Sequence, residues 1–141
     1  MTKTNRIISG FLGISMFMFG VLKFVKPFKS WYSTQIMKSE LPFPNLSFWS
    51  GQIGEIIVGI VLICILLSGS KLKQNILNKI FSIANVSIIM MMLVAFYVHL
   101  HPNVPSEVLP LKISPPIIPG VFMLLAIANI YLKVKNEKLG Y

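Results

Sequence analysis

A chain of 141 residues that is 55% hydrophobic and 12% charged lacks the polar surface of a water-soluble domain and is read as an integral membrane protein. The net charge of +9 does not mark a nucleic-acid binder, because the basic residues gather at the ends of apolar runs, where they read as topology signals and contacts to anionic lipid. A single cysteine, Cys64, leaves no intrachain disulfide and no Cys-x-x-Cys pair, which argues against a thiol-relay oxidoreductase.

The first apolar run covers residues 7–25, preceded by Lys3 and Arg6 and stopped by Pro27. It has no small-x-small cleavage site and continues through Lys23 into an aromatic segment, so it reads as a retained span rather than a signal peptide. Gly13, Met16, Gly20 and Lys23 recur at helical spacing, which makes a groove of small residues ending in a cation. Residues 26–47 are too polar and too proline-rich to span. Phe28, Trp31, Tyr32 and Ile36 fall near one side of a short helix ending before Pro42, an interfacial piece that would lie on the membrane as a lid. An ordinary loop in the aromatic belt is the alternative reading.

The second span, residues 48–67, holds the sharpest anomaly, a lone carboxylate at Glu55. A charge near hydrocarbon costs roughly 2.5 to 3.5 kcal/mol on insertion scales, so such residues usually face a partner or a cavity. Gln52, Glu55 and Gly59 share one face of this helix. Ser68-Gly69-Ser70 breaks it, and residues 80–100 form the third span, with Asn85 as a buried amide. Met90, Met91 and Met92 cannot share one helix face and read as adaptable packing and lipid contact rather than a metal box. Pro102, Pro105, Pro110, Pro115, Pro116 and Pro119 then exclude continuous helix and suggest an extended, folded-back loop. The last span runs over residues 117–132, about sixteen residues and therefore short for a bilayer. The whole of residues 1–141 is expected to be one all-α domain, a four-helix transmembrane bundle with a short interfacial helix between the first two spans.

Lys3, Arg6, Lys71, Lys73, Lys79, Lys133, Lys135 and Lys138 would share one side of the membrane, eight basic residues against five on the other, Lys23, Lys26, Lys29, Lys38 and Lys112. By the positive-inside rule both termini should be cytoplasmic in a multi-pass cell-membrane protein. This up-and-down order brings Lys23, Glu55, Tyr97 and His99 to one depth in the outer leaflet. Asn85 and Asn129 are expected to hydrogen-bond between helices. His99-Leu100-His101 has too short a spacing for two metal ligands on one helix face, and these read as interfacial histidines, with no metal site.

Gly20-Val21-Leu22-Lys23-Phe24, Gly54-Glu55-Ile56-Ile57-Val58-Gly59 and a His-containing third-helix end before a proline-rich loop resemble, in that order, the DoxX-like family of four-helix membrane proteins. The resemblance covers most of the chain. It implies the four-helix fold and, through founding members that are membrane subunits of a thiosulfate:quinone oxidoreductase, a link to a quinone; distant relatives include a vertebrate chaperone for acetylcholine receptors. Lys23 and Glu55 carry over by motif.

Two roles stand open for the Lys23 and Glu55 pair: a structural ion pair fixing helix register, or part of a pocket that handles a ligand or proton. The expected pocket is Lys23, Glu55, Gln52 and His99. No motif for flavin, haem or an iron–sulfur cluster is present, so no self-contained catalytic centre is expected and a redox role would need a partner protein. The readings are an accessory subunit of a membrane redox complex with a pocket for a quinone or small molecule, a non-enzymatic assembly factor or chaperone packed against another membrane protein, and a carrier for a small anion or lipid-like molecule. Self-association as a homo-oligomer fits any of these, and the carrier is disfavoured because four helices show no internal repeat.

Overall fold

Inside hydrocarbon no water can satisfy a backbone N–H or C=O, so an apolar run closes its own hydrogen bonds as a helix. The computed structural model describes residues 1–138, without the side chains of Ser70, Glu137 and Lys138, so the Lys138 ammonium of the charge count lies outside what is described. The helices are α1 (Lys3–Leu22), α2 (Phe28–Lys38), α3 (Pro44–Ser68), α4 (Gln74–Leu100) and α5 (Ile117–Lys138), with no strand among the described residues. Four of them, α1, α3, α4 and α5, are long and apolar enough to cross a membrane, with mean hydropathy of 1.5, 2.2, 2.2 and 2.0 in their most apolar windows.

The spanning helices pack in a closed ring in which α1 meets α3, α3 meets α4, α4 meets α5 and α5 returns to α1. The core between them is Leu12, Met16, Leu62, Phe81, Ile88 and Ala126, all fully buried. On the α1–α3 seam the backbones touch. A Cβ at Gly59 would stand 2.5 Å from the Phe17 amide nitrogen and 2.8 Å from the Gly13 carbonyl oxygen. The face of Gly13, Met16 and Gly20 is thus buried as its small side chains predict.

At the end carrying both termini, amides tie three helices together. Asn5 Nδ2 donates to the Asn129 carbonyl oxygen (2.8 Å) and to Asn129 Oδ1 (2.9 Å). Asn129 Nδ2 in turn donates to Ser9 Oγ (2.9 Å) and Asn85 Oδ1 (3.0 Å). All four side chains are buried to within 1% of completeness. The interhelical bonding expected of Asn85 and Asn129 is present, and Asn5, just before the first apolar run, and Ser9, inside it, complete it.

Several boundaries differ from the hydropathy reading. α1 ends at Leu22 rather than residue 25, because the Lys23 amide bonds back to the Phe19 carbonyl while those of Phe24 and Val25 close tighter turns onto Val21 and Leu22. α3 begins at Pro44, where a proline is pre-set for the first turn of a helix. This puts Glu55 roughly 16 Å along the axis from the helix start, deeper than two turns. α5 has 22 residues and is not a short span; its last turns contain lysines, which favour helix while lowering hydropathy. Lys133 among them is 7% exposed and donates to Asn78 Oδ1 at 2.5 Å over the Phe81 ring, so it binds protein and not lipid headgroups. The segment between the first two spans contains a helix, α2, with Tyr32 and Ile36 buried and Phe28 exposed, which replaces the plain-loop alternative. The proline-rich connection is not simply extended: Ser106–Val108 makes a 3₁₀ turn, and Pro110–Lys112 turns tightly with Leu111 and Lys112 at positive φ, 61° and 55°. Val104 and Leu109 from it pack on Val98 and Leu41 as a small second core.

Candidate functional site

The end of the bundle away from the termini is hollow. Because α1 stops at Leu22 and the chain then turns sideways into α2, the helices are not closed over by a tight loop. They leave a cavity of about 1260 Å³ that all five helices and the 108–112 segment help to line. Its wall is mainly apolar and aromatic, with Phe19, Phe28, Trp31, Phe122 and the three methionines Met90, Met91 and Met92. Met92 is buried while Met90 is 59% exposed, as expected for three consecutive residues that point different ways.

Lys23 and Glu55 meet in this wall. Lys23 Nζ lies 2.6 Å from Glu55 Oε1, with the side chains 17% and 12% exposed. The ammonium also sits 4.0 Å above the centre of the Tyr32 ring, which adds a cation–π attraction in a site where little water competes. Tyr32 is fixed from its other end, since its hydroxyl donates to the Phe48 carbonyl oxygen (3.1 Å) and it passes over Gly51, where a Cβ would lie 2.3 Å from the hydroxyl oxygen. Burial, and then the negative charge of Glu55, push the Tyr32 phenol well above its ordinary value. The phenol stays protonated and is a donor. A second latch joins α2 to the roof, where Gln35 Nε2 donates to the Val108 carbonyl oxygen.

His99 is 5% exposed and lines the same cavity. Its Nδ1 is buried and has no partner. Glu55 Oε2 is likewise buried and unpartnered. Of the four expected pocket residues, Lys23, Glu55 and His99 are therefore brought to one cavity. Gln52 is not among its lining residues. It is 1% exposed, with neither side-chain polar atom bonded, because its position on α3 lies a turn nearer the helix start and against the α1 seam, where its backbone carbonyl faces Gly20. Tyr97, expected at the same depth, is 46% exposed and does not line the cavity. His101 lies just beyond the helix, as the bounds of the third span place it, and its Nδ1 accepts from the Asn103 amide at 3.3 Å.

The contributions of Tyr32 and Gln35 were not legible as site residues. The only signal for Tyr32 was its spacing of four from Ile36 on the buried side of α2, and Gln35 gave none, since its partner Val108 lies far away in the chain. The cavity opens sideways as well. Ile57, Val86, Met90 and Val94 all line it and are 54%, 49%, 59% and 46% exposed, so the α3–α4 side presents apolar wall to the surroundings.

No family model matches the chain, and no curated protein and no solved structure matches it.

Proposed function

We propose that this chain is a DoxX-like cell-membrane protein with both termini cytoplasmic, and that it serves as an accessory subunit of a membrane redox complex by accepting a quinone-like molecule in the cavity. The observation that carries this reading is a large apolar cavity with a buried Lys23–Glu55 pair in its wall. Ligand pockets have this composition, an apolar body for most of the ligand surface with a few fixed polar groups to orient its head. A volume of about 1260 Å³ suits a substituted ring with part of a hydrocarbon tail better than a small anion. The electron-carrying group would belong to a partner protein.

A second reading, an assembly factor that packs against another membrane protein, is favoured by the exposed apolar wall between α3 and α4, which a partner helix could cover.

Glu55→Gln separates them, because glutamine keeps the volume and much of the hydrogen bonding while losing the charge. For a pocket, binding of a decyl-substituted benzoquinone in lipid nanodiscs should fall at least tenfold, on the order of 1.4 kcal/mol, while the melting temperature moves little. For a structural strut, the same change should lower stability by stranding the Lys23 ammonium, and Lys23→Met should restore it. Full binding and full stability in the double variant would falsify the pocket.

A further inference from the structure

The cavity runs along the helices. Its lining reaches from Ser47 to Val58 on α3 and from Val86 to His99 on α4, roughly 16 Å and 20 Å at 1.5 Å per residue. The two helices run in opposite directions, so Ser47 and His99 mark the end away from the termini, and Val58 and Val86 mark the deep end. The charged groups of the lining, Lys112 and the Lys23–Glu55 pair, stand at the far end and midway down. Beyond Glu55 the wall turns to Ile57, Val58 and Val86, with Ser87 as a lone hydroxyl.

The deep end is also where the cavity meets its surroundings. Ile57, Val86, Met90 and Val94 line it and are about half exposed. The other seams are shut. Between α1 and α3 a Cβ at Gly20 would stand 2.6 Å from Ile56 Cγ1. Between α1 and α5 the Phe19 ring packs on Phe122 with centroids 5.6 Å apart, and Pro119 and Phe122 of α5 are buried. Between α3 and α4 stand only Gly54, which has no side chain, and the thioether of Met91, whose sulfur lies 3.3 Å from where a Cβ of Gly54 would be. A methionine side chain is flexible and yields easily. At the far end the roof is tied by Gln35 to the Val108 carbonyl, with Ile36 and Leu109 buried beneath it; Phe28, Leu111 and Lys112 are its exposed lining residues.

This window lies inside two of the apolar spans, so hydrocarbon and not water faces it. A chain that slides in from the bilayer exchanges one apolar environment for another, whereas a route over the roof carries every methylene through water. We propose that the cavity is loaded sideways from the bilayer, between α3 and α4, by a single-chain amphiphile. Its head lies toward the Lys23–Glu55 pair and Lys112, and its chain leaves through the window among the lipid tails. Because the wall is mainly apolar, the chain and not one particular head is what the cavity recognises. This rests on the reading of the cavity as a ligand pocket and adds the ligand's class, direction and route.

Trp31 lines the far end of the cavity and Trp49 does not line it, so Trp49→Phe leaves one reporter tryptophan of the two. The probe, added to this variant in lipid nanodiscs, is stearic acid brominated near its carboxylate or near its methyl end, since bromine quenches tryptophan on contact. Quenching is expected to saturate, to be stronger with bromine near the carboxylate, and to be reversed by plain stearic acid. Gly54→Leu, which places a side chain in the window, should slow its onset severalfold in stopped flow, and Gly54→Ala should not. If Gly54→Leu does not fold, Ile57→Phe narrows the same window from its rim. Quenching that climbs in proportion to added probe without saturating leaves the chain in the bulk bilayer and overturns the proposal, as does stronger quenching from the methyl end. An onset unchanged in the window variants overturns the sideways route. Binding of a tritiated decyl-substituted benzoquinone to the same discs separates this proposal from the quinone reading. Saturable quinone binding without saturable quenching by stearate means that the head decides, which overturns the proposal and leaves a quinone pocket. Saturable quenching without quinone binding supports the proposal and overturns the quinone reading. Failure of both probes overturns both.

Discussion

The Tyr32 hydroxyl bonds to the start of α3 while its ring receives the Lys23 ammonium from the end of α1, so one side chain holds α2 against both helices. Its phenol is raised by burial and by Glu55, and the sign of the consequence follows. A group whose folded value lies above the unfolded one stabilises the fold fully below the unfolded value and stops doing so as pH climbs through the folded value. For Tyr32 the stabilisation is complete below the ordinary value of 10.0, and docking of α2 should weaken only in stronger alkali. In an ultraviolet titration the wild type and Tyr32→Phe should superimpose through the ordinary tyrosine range. Missing amplitude there in the variant would mean that the phenol is solvated and the latch wrong. His99 and Gln52 show the opposite situation, buried groups with bonds left unmade. His99 lies on the cavity, whereas Gln52 does not line it, and the structure offers no partner for its amide.

At the scale of helices, the α1–α3 seam depends on the absence of a side chain at Gly59. The atoms a Cβ would meet are the Phe17 amide nitrogen at 2.5 Å and the Gly13 carbonyl oxygen at 2.8 Å, both backbone, which cannot rotate away. Gly59→Ala should therefore force the two helices apart and destabilise by about 2 kcal/mol or more, within the range seen for overpacked cores. Gly54→Ala meets the Met91 sulfur at 3.3 Å, a flexible thioether that can shift, and should change the detergent melting temperature little. Equal losses at both positions would contradict the close seam. This seam was readable in advance from the spacing of Gly13, Gly20 and Gly59, as was the meeting of Lys23 with Glu55, because helical periodicity and alternating direction together fix both face and depth. The helix ends were not readable to the same degree. Hydropathy measures fitness for lipid, so it overran α1 into Phe24 and Val25 and stopped short in the lysine-bearing last turns of α5, where the backbone stays helical regardless. The roof was the least legible part, since Gln35 meets Val108 only after the proline-rich segment folds back.

For the molecule as a whole, the buried amides at the terminal end decide how the ring of helices stays closed. Asn129 bonds to Asn5, Ser9 and Asn85 on two other helices, so Asn129→Leu leaves three neighbours short of a partner. It should lower stability by roughly 2 kcal/mol or more, as unsatisfied buried polar groups do. Asn136→Leu removes longer contacts to Thr2 and Asn5, 3.4 and 3.5 Å, and should have a much smaller effect on thermal unfolding in detergent. Because the network ties α1 to α4 and α5, and the glycine seam makes α3 travel with α1, the bundle has the mechanics of a clothes-peg. The amides are its spring end, and the α1–α3 and α4–α5 pairs are its jaws. Turning the jaws against each other about Asn129 would part Leu12, Met16 and Leu62 from Phe81, Ile88 and Ala126, so the core between them resists the opening. Loosening the spring in Asn129→Leu should thus be felt at the far end too, as faster hydrogen exchange of the amides of α1 and α5 beside the cavity, even though no network residue lines it.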